Sequence, residues 1–451
     1  MSEVEADLMQ KIVSLCKRRG FVFQSSEIYG GLKSLYDYGP LGVEMKRNIK
    51  NLWWRDMVHR RRDVVGIDAS IIMSPRVWEA SGHVAGFHDP LVDCRNCKTR
   101  FRLDHAPRDG DGKPQCPECG SHNLSEPRQF NLMFRTNLGS LEDTSHTVYL
   151  RPETAQAMFV DFSAVQQTYR LKLPFGIAQQ GRSFRNEIVV EHFIYRSCEF
   201  EQMEMEFFVR PGEDEKWYEY WKNERLNWYG RYGIRPENLR LRPHEKEELA
   251  HYAKACSDVE YRFPWGFAEL EGVANRTDYD LKKHSEHSGK DQRYFDPDTR
   301  EHLFPYVIEP AAGVDRTFLA MLVDAYVEEE VKGEKRVVLK LHPEVAPIKA
   351  AVLPLVRKDG MPEKAQEIVN LFREAGVNAF YDEKQSIGRR YRRQDEAGTP
   401  FCLTVDGDTM KDGTVTIRFR DNMEQERISS KEALETVRKA LVSGRQTALG
   451  G

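Results

Sequence analysis

The sequence predicts a mixed α/β chain. It has an α+β core on a long antiparallel sheet flanked by helices, a small cysteine-bearing insertion, and a C-terminal α/β domain. Three stretches carry this reading. From 202 to 207 polar and apolar residues alternate strictly, which is the period of a strand. Met203, Met205, Phe207 and Val209 share one face, and Gln202, Glu204 and Glu206 the other. The stretch VIEPAAGVDRTFLAMLVDAY, 307–326, reads as an apolar strand turned by Pro-Ala-Ala-Gly into a helix. Beyond the charge-dense EEEVKGEKR at 328–336, short strands alternate with helices, so a hinge and domain boundary is expected there, giving domains 1–335 and 336–451.

A chain of 451 residues can bury a large core. A formal net charge of -4 argues against a generic polyanion binder, so nucleic-acid contact would rest on local basic patches. The first residues include acids and no continuous apolar run, so no signal peptide is expected there. No run is long and apolar enough to span a membrane, and the expectation is a soluble cytoplasmic protein. Of eight cysteines four are paired and four (Cys16, Cys198, Cys256, Cys402) stand alone. That is the usage of a reducing compartment with one metal site.

In chain order, 7–19 reads as a helix with Leu8, Ile12 and Leu15 on one stripe. After Pro40 a longer amphipathic helix carries Leu41, Met45, Ile49, Leu52 and Trp53 on its face; its adjacent tryptophans suit either burial or an interface. Cys94-Arg-Asn-Cys97 and Cys116-Pro-Glu-Cys119 have zinc-ribbon spacing, and 91–125 reads as an inserted ribbon. Four thiolates leave no open position, so the zinc would be structural. The segment 175–184 pairs in expectation with 199–209 as a hairpin whose loop carries Arg196. Arg185 and Glu187, two apart, would point the same way from extended backbone.

That hairpin admits two readings: an exposed face laced with surface ion pairs, or a pocket where arginines grip phosphate and carboxylates grip an amine. The residues 212–232 read as one charged, aromatic helix. His284 and His287 near Asp278 and Asp280 are too loosely spaced for a metal site. Val314, Phe318, Met321, Leu322 and Ala325 form the buried stripe of the helix after 313, and Arg316 lies off it. A cation in a first helical turn opposes the helix dipole, which an anionic ligand would explain. In the C-terminal part, strands are expected at VVLKLHP, KAAVLPLV, NAFYD, PFCLTVD and TVTIRFR, with Ala365, Ile368, Val369 and Phe372 inward on one helix and a last helix after Ser430. GRRYRRQ, four arginines about one tyrosine, suits either a solvated helix face or single-stranded RNA contact.

Seven strings in order resemble the class II aminoacyl-tRNA synthetases, and within them the homodimeric glycyl-tRNA synthetase family (class IIa). They are SEIYGGLKSLYDYGPLGVEMK (26–46), WEASGH (78–83), LRPETAQ (150–156), SFRNEI (183–188), EFEQMEMEFF (199–208), IEPAAGVDR (308–316) and IGRRYRRQDEAGTPFC (387–402). The resemblance spans about 8–437 and implies the class II catalytic fold with a zinc-ribbon insertion and an anticodon-binding domain. It also implies the activation of glycine with ATP and magnesium, charging of tRNA(Gly), and a homodimer interface at the helix after Pro40.

Carried over by resemblance, Arg185, Glu187 and Arg316 are catalytic: Arg185 at the α-phosphate, Glu187 on the adenine side and Arg316 at the terminal phosphate. ATP would also meet Asn186, Tyr195, Arg196, Glu199, Phe200, Glu269, Leu270, Gly313 and Asp315. The glycine site would comprise Arg102, Glu153, Phe200, Glu201, Gln202, Met203, Glu204, Glu309, Pro310, Ala311, Ala312 and Gly313. Arg389, Arg390, Tyr391, Arg392 and Arg393 would contact tRNA, and Cys94, Cys97, Cys116 and Cys119 would hold zinc. Ala311 stands where relatives commonly carry serine, and Cys198 where they carry a second arginine. Glycine has no side chain to grip, so selection rests on its ammonium, its carboxylate and exclusion of anything larger. A rival reading, a non-catalytic synthetase-like nucleic-acid-binding or polymerase accessory subunit, predicts loss of the phosphate arginines, yet Arg185 and Arg316 are present.

Overall fold

The computed structural model describes residues 3–139, 146–188, 192–250 and 252–444. The expected domain spans run past these at both ends, and part of the hairpin loop, 189–191, also lies outside them. Near the N-terminus, helix α1 (Glu3–Arg19) buries Ile12 and Leu15, and α2 (Pro40–Trp54) buries Met45, Ile49, Leu52 and Trp53. Trp53 belongs to the chain's own core, which settles that ring as burial. At Gly42 α2 approaches the preceding loop so closely that a Cβ would fall 1.8 Å from the Phe21 carbonyl oxygen.

Seven strands form the central sheet: β1 (Val64–Ile67), β2 (Phe175–Phe184), β3 (Glu199–Val209), β4 (Leu239–Pro243), β5 (Ala255–Phe263), β6 (Gly266–Thr277) and β7 (Tyr306–Gly313). Their order is β4-β5-β6-β7-β3-β2-β1, antiparallel except for the parallel pair β1–β2. The expected hairpin forms, with Glu199 opposite Phe184 and Phe208 opposite Phe175. Its alternation does not separate core from solvent, because every residue from Gln202 to Val209 is buried. Met203, Met205, Phe207 and Val209 join the main core, and Glu204 and Glu206 are buried as well, so the exposed-face reading fails.

Helix α3 (Asp214–Arg231) lays Tyr218, Trp221, Trp228 and Tyr229 into that core. Helix α4 (Val314–Ala325) is buried on all sides except at Arg316. The charge-dense stretch expected to be a hinge is a β-hairpin instead, Tyr326–Val331 paired with Glu334–Leu339. Lys332 and Gly333 turn it with φ of 53° and 78°, the positive pair that a two-residue hairpin turn needs. Its Arg336 is fully buried, 2.9 Å from Asp395 and 2.6 Å from Glu329, so the charges lock a joint.

The C-terminal part holds a five-stranded mixed sheet in the order Ala379–Tyr381, Ala350–Pro354, Phe401–Val405, Thr414–Phe419, Gln425–Ser429. VVLKLHP, expected to open this sheet, pairs within the joint hairpin instead. Helix α5 (Ile387–Ala397) carries the arginine cluster.

Candidate active site

Strands β3, β6 and β7 run side by side, and the start of α4 follows directly from β7. Their polar face opens on a cavity of about 320 Å³. One part of its lining is acidic. Glu204 on β3 and Glu309 on β7 meet Glu153 from the loop ahead of Ala155–Val160. Arg276 on β6, a residue the sequence did not single out, donates to Glu309 at 2.8 Å and grips Asp280 at 2.8 and 2.9 Å. Glu153 takes a hydrogen bond from Gln156 at 2.9 Å and lies 3.2 Å from His83. Burial works to raise Glu153, but His83 and Arg276 outweigh it and hold it below the usual carboxylate range. Glu204, bonded to the Thr154 hydroxyl and backbone, moves the other way: burial, then Glu309 and Glu153, push it well up.

The rest of the lining is cationic. Arg185 makes cation–π contacts with Phe87 and Phe200, its guanidinium carbon 5.4 and 5.3 Å from their ring centres, and its Nε donates to the Pro152 carbonyl at 3.0 Å. Arg316 lies 2.8 Å from Glu269 and over the Tyr195 ring at 4.5 Å. Glu269 is lowered, first by Arg316. Arg196, Glu187 and Tyr195 also line this region. Arg185 and Glu187 do not stand on extended backbone as expected: β2 ends at Phe184, and Glu187 N–H closes a tight turn on the Arg185 carbonyl at 2.7 Å. Phe200, Gln202, Ala311, Ala312, Gly313 and Asp315 are further expected residues that reach the cavity, and Gly272 and Ala274 keep its floor on β6 free of bulk.

Other expected residues stand elsewhere. Leu270 and Met203 are fully buried in the main core, on the opposite face of their strands, and Pro310 is outside the lining. Asn186 is tied by its backbone to the Leu132 carbonyl. Glu199 pairs with Arg182 beside a neighbouring cavity. Arg102 belongs to the ribbon sheet, 2.9 Å from Asp89 and 2.7 Å from Asp104. Glu201 touches the cavity but is claimed by Lys46 at 2.9 Å and Lys50 at 2.6 Å, which overcome its burial and draw it down to about 2. His244, Tyr252 and Asp258, which the sequence reading did not single out, line the far side; Tyr252 sits 3.9 Å from the Arg276 guanidinium.

The four paired cysteines converge. Cys94 and Cys119 Sγ are 3.6 Å apart, and Cys97 and Cys116 Sγ 3.5 Å. Each pair forms the same knuckle, with Lys98 N–H bonding to the Cys94 carbonyl and Gly120 N–H to the Cys116 carbonyl, both at 2.9 Å. A tetrahedral zinc with bonds of about 2.3 Å sets its sulfurs about 3.8 Å apart, so this donor set fits zinc.

The arginine cluster divides. Arg389, Arg392 and Arg393 line a shallow depression with Arg19 and Gln385. Arg390 does not join them: it is buried, and its guanidinium donates to the carbonyls of Pro354, Leu355 and Asp382 at 2.6, 3.2 and 3.2 Å. Tyr391 is no stacking platform either, since its hydroxyl bonds to Thr404 at 2.5 Å and its ring packs on Ala351, Leu353 and Cys402. A one-residue helical step turns Arg390 inward while Arg389 stays out.

Residues 134–326 match the family described as tRNA synthetase class II core domain (G, H, P, S and T), and 349–440 match the anticodon binding domain. The glycine–tRNA ligase of Treponema denticola is 55% identical over 436 residues, covering 95% of this chain and 96% of its own. That of Caldanaerobacter subterraneus subsp. tengcongensis is 55% identical, covering 93% and 95%. The Streptomyces coelicolor glycine–tRNA ligase is 54% identical, covering 94% and 96%. The chain belongs to the glycine–tRNA ligase family. Membership in this family, with a class II core, gives the cavity a chemical context: an antiparallel sheet whose polar face carries arginines and carboxylates together. Among the described residues no helix is long and apolar enough to cross a membrane.

Proposed function

We propose that this chain is a glycine–tRNA ligase. It activates glycine with ATP and transfers the glycyl group to the 3′ end of tRNA(Gly). The observation that carries the reading is one cavity joining half-buried Glu153 and buried Glu204 and Glu309 to Arg185, Arg196 and Arg316. The carboxylates suit an ammonium, and the arginines suit phosphates. Gly272, Ala274 and Ala311 border the cavity with small side chains or none, which suits the smallest amino acid.

A glycine carboxylate oxygen attacks the α-phosphorus, and the bond to pyrophosphate breaks. The tRNA terminal hydroxyl then attacks the acyl carbon, and AMP leaves. The protein's part is placement and charge. Arg185, held against Phe87 and Phe200, stabilises charge on the α-phosphate; Glu187 reads the adenine side; Arg316 takes the terminal phosphate. Magnesium bound with ATP would supply neutralisation of phosphate charge, and Glu269, beside Arg316, is the carboxylate that would hold it. Zinc in the four-cysteine site would staple the ribbon and take no part in the chemistry.

Arg389, Arg392 and Arg393 are the exposed or half-buried cations we assign to tRNA. The domain spans 1–335 and 336–451, a homodimer through α2 and a cytoplasmic location belong to the same reading. The accessory-subunit alternative is disfavoured because both phosphate arginines line the cavity. Charging of tRNA(Gly) with labelled glycine tests the overall reaction: ATP-dependent charging supports it, and none by a folded, metal-replete chain overturns it.

A further inference from the structure

Glu206 has no part in the chemistry above. It is fully buried and does not line the cavity. Neither carboxyl oxygen has a hydrogen-bond partner among the described residues. The register that sets Phe207 opposite Ile308 carries Glu206 across from Glu309. Carboxyl oxygens of Glu204, Glu206 and Glu309 lie within 4.8 Å of one another. The charged groups around Glu206 are Glu204 on its own strand, Glu309 on β7, Arg276 on β6, and Asp280 on the helix Tyr279–Ser288.

Arg276 is already divided between Asp280 and Glu309. Among the described residues no cation is paired directly with Glu206 or Glu204. A buried carboxylate with neither a cation nor a donor is costly and takes up a proton instead. Neighbouring carboxyls cannot all ionise, and they titrate as a set rather than singly. Burial, then Glu309, push Glu206 well above the usual range, in agreement with this geometry. Once protonated, Glu206 becomes a donor, and carboxyl oxygens of Glu204 and Glu309 lie within 4.8 Å as the nearest candidate acceptors.

We infer that Glu206 is a positioning residue that shares a proton with Glu204 and Glu309, and that binding of a substrate ammonium in the cavity expels this proton to solvent. The inference rests on the amino-acid site proposed above. As one positive charge enters, one leaves, and the trio that was partly neutral becomes the anionic cage the ammonium needs. Ammonium binding therefore tightens as pH rises, because a higher pH has already removed the proton that must go.

The test is calorimetric titration of the full, zinc-replete chain with glycine at pH 7, in buffers of differing ionisation enthalpy. The wild type releases on the order of one proton per glycine bound. Glu206→Gln keeps the shape but cannot ionise; its proton release falls clearly below the wild-type value. Its KM for glycine loses most of its dependence on pH between about 6 and 8, with the change falling on KM rather than kcat. Zero release by a wild type that binds glycine overturns the inference, and so does equal release by both proteins with only stability altered. The wild-type measurement decides alone if the variant does not fold. Absence of both glycine heat and glycine-dependent exchange overturns the amino-acid assignment itself, and this inference with it.

Discussion

Arg316 Nη1 and Glu269 Oε2 lie 2.8 Å apart at the start of α4. The cation that the helix dipole disfavours is thus already compensated without a phosphate. ATP must then draw Arg316 away from Glu269 or share it. Arg316→Ala should lower glycine-dependent pyrophosphate exchange by about 10²–10³-fold, the scale of losing one preorganised charge donor. The melting temperature should hardly move, because Arg316 is partly solvent-facing and such pairs contribute about 0–1 kcal/mol. Near-wild-type exchange in a folded variant would remove Arg316 from the phosphate site.

The arginine cluster separates recognition from folding within one helix. Replacing Arg389, Arg392 and Arg393 together by alanine should leave exchange intact, since that step needs no RNA. Charging should fall, and its salt dependence should become shallower as phosphate contacts are lost. Arg390→Ala should instead destabilise the domain, because the lost guanidinium satisfies three backbone carbonyls in the interior. Equal losses of exchange and charging in the triple variant would mean that the exposed arginines also support the fold.

These two helices show what the sequence makes legible. In α4 the stripe through Val314, Phe318 and Met321 is readable, and so is the misplaced Arg316, because a helical period fixes direction. In α5 the same period was available, but four arginines in five positions mask which one turns inward; only the Pro354 and Leu355 carbonyls decide it. Strand β3 fails differently. Alternation predicts two faces but not that both are buried, and Glu204 and Glu206 look like solvent-facing residues until β7 and Arg276 are placed. The 328–336 stretch looked like a linker by charge, yet Arg336 finds Asp395 from 59 residues away, which no local pattern encodes. The convergence of the four paired cysteines is legible because it lies in their spacing.

Metal analysis checks the ribbon. We expect about one zinc per chain, the number a four-thiolate site holds. Cys97→Ser should lose zinc and lower the melting temperature, with exchange affected less than stability. A metal-free preparation that melts at the same temperature would contradict the assignment.

His342 makes the joint sensitive to acid. Its ring faces Tyr232 edge-on at 5.6 Å and sits against Gly233 and Gly444, where a Cβ on Gly444 would fall 2.3 Å from Nε2. Burial depresses this imidazole from 6.5 to about 4. Between those values the unfolded chain binds the proton and the folded one does not, so stability is present above about 6.5 and is lost as pH falls towards 4. The loss attributable to this ring is on the order of 3 kcal/mol. In denaturant titrations His342→Gln should be less stable than the wild type at pH 7 and closer to it at pH 4.5. A constant difference across that range would contradict the shift.

The central claim is that the cavity activates glycine. ATP–pyrophosphate exchange measures this directly, with magnesium and without tRNA, across glycine, alanine and serine. The account predicts exchange with glycine and far less with alanine or serine, since Gly272, Ala274 and Ala311 border a small space among fixed carboxylates. Glu153→Gln, at a carboxylate held ionised by His83, should raise the KM for glycine much more than that for ATP. Exchange that is absent, or no greater with glycine than with alanine, would contradict the account.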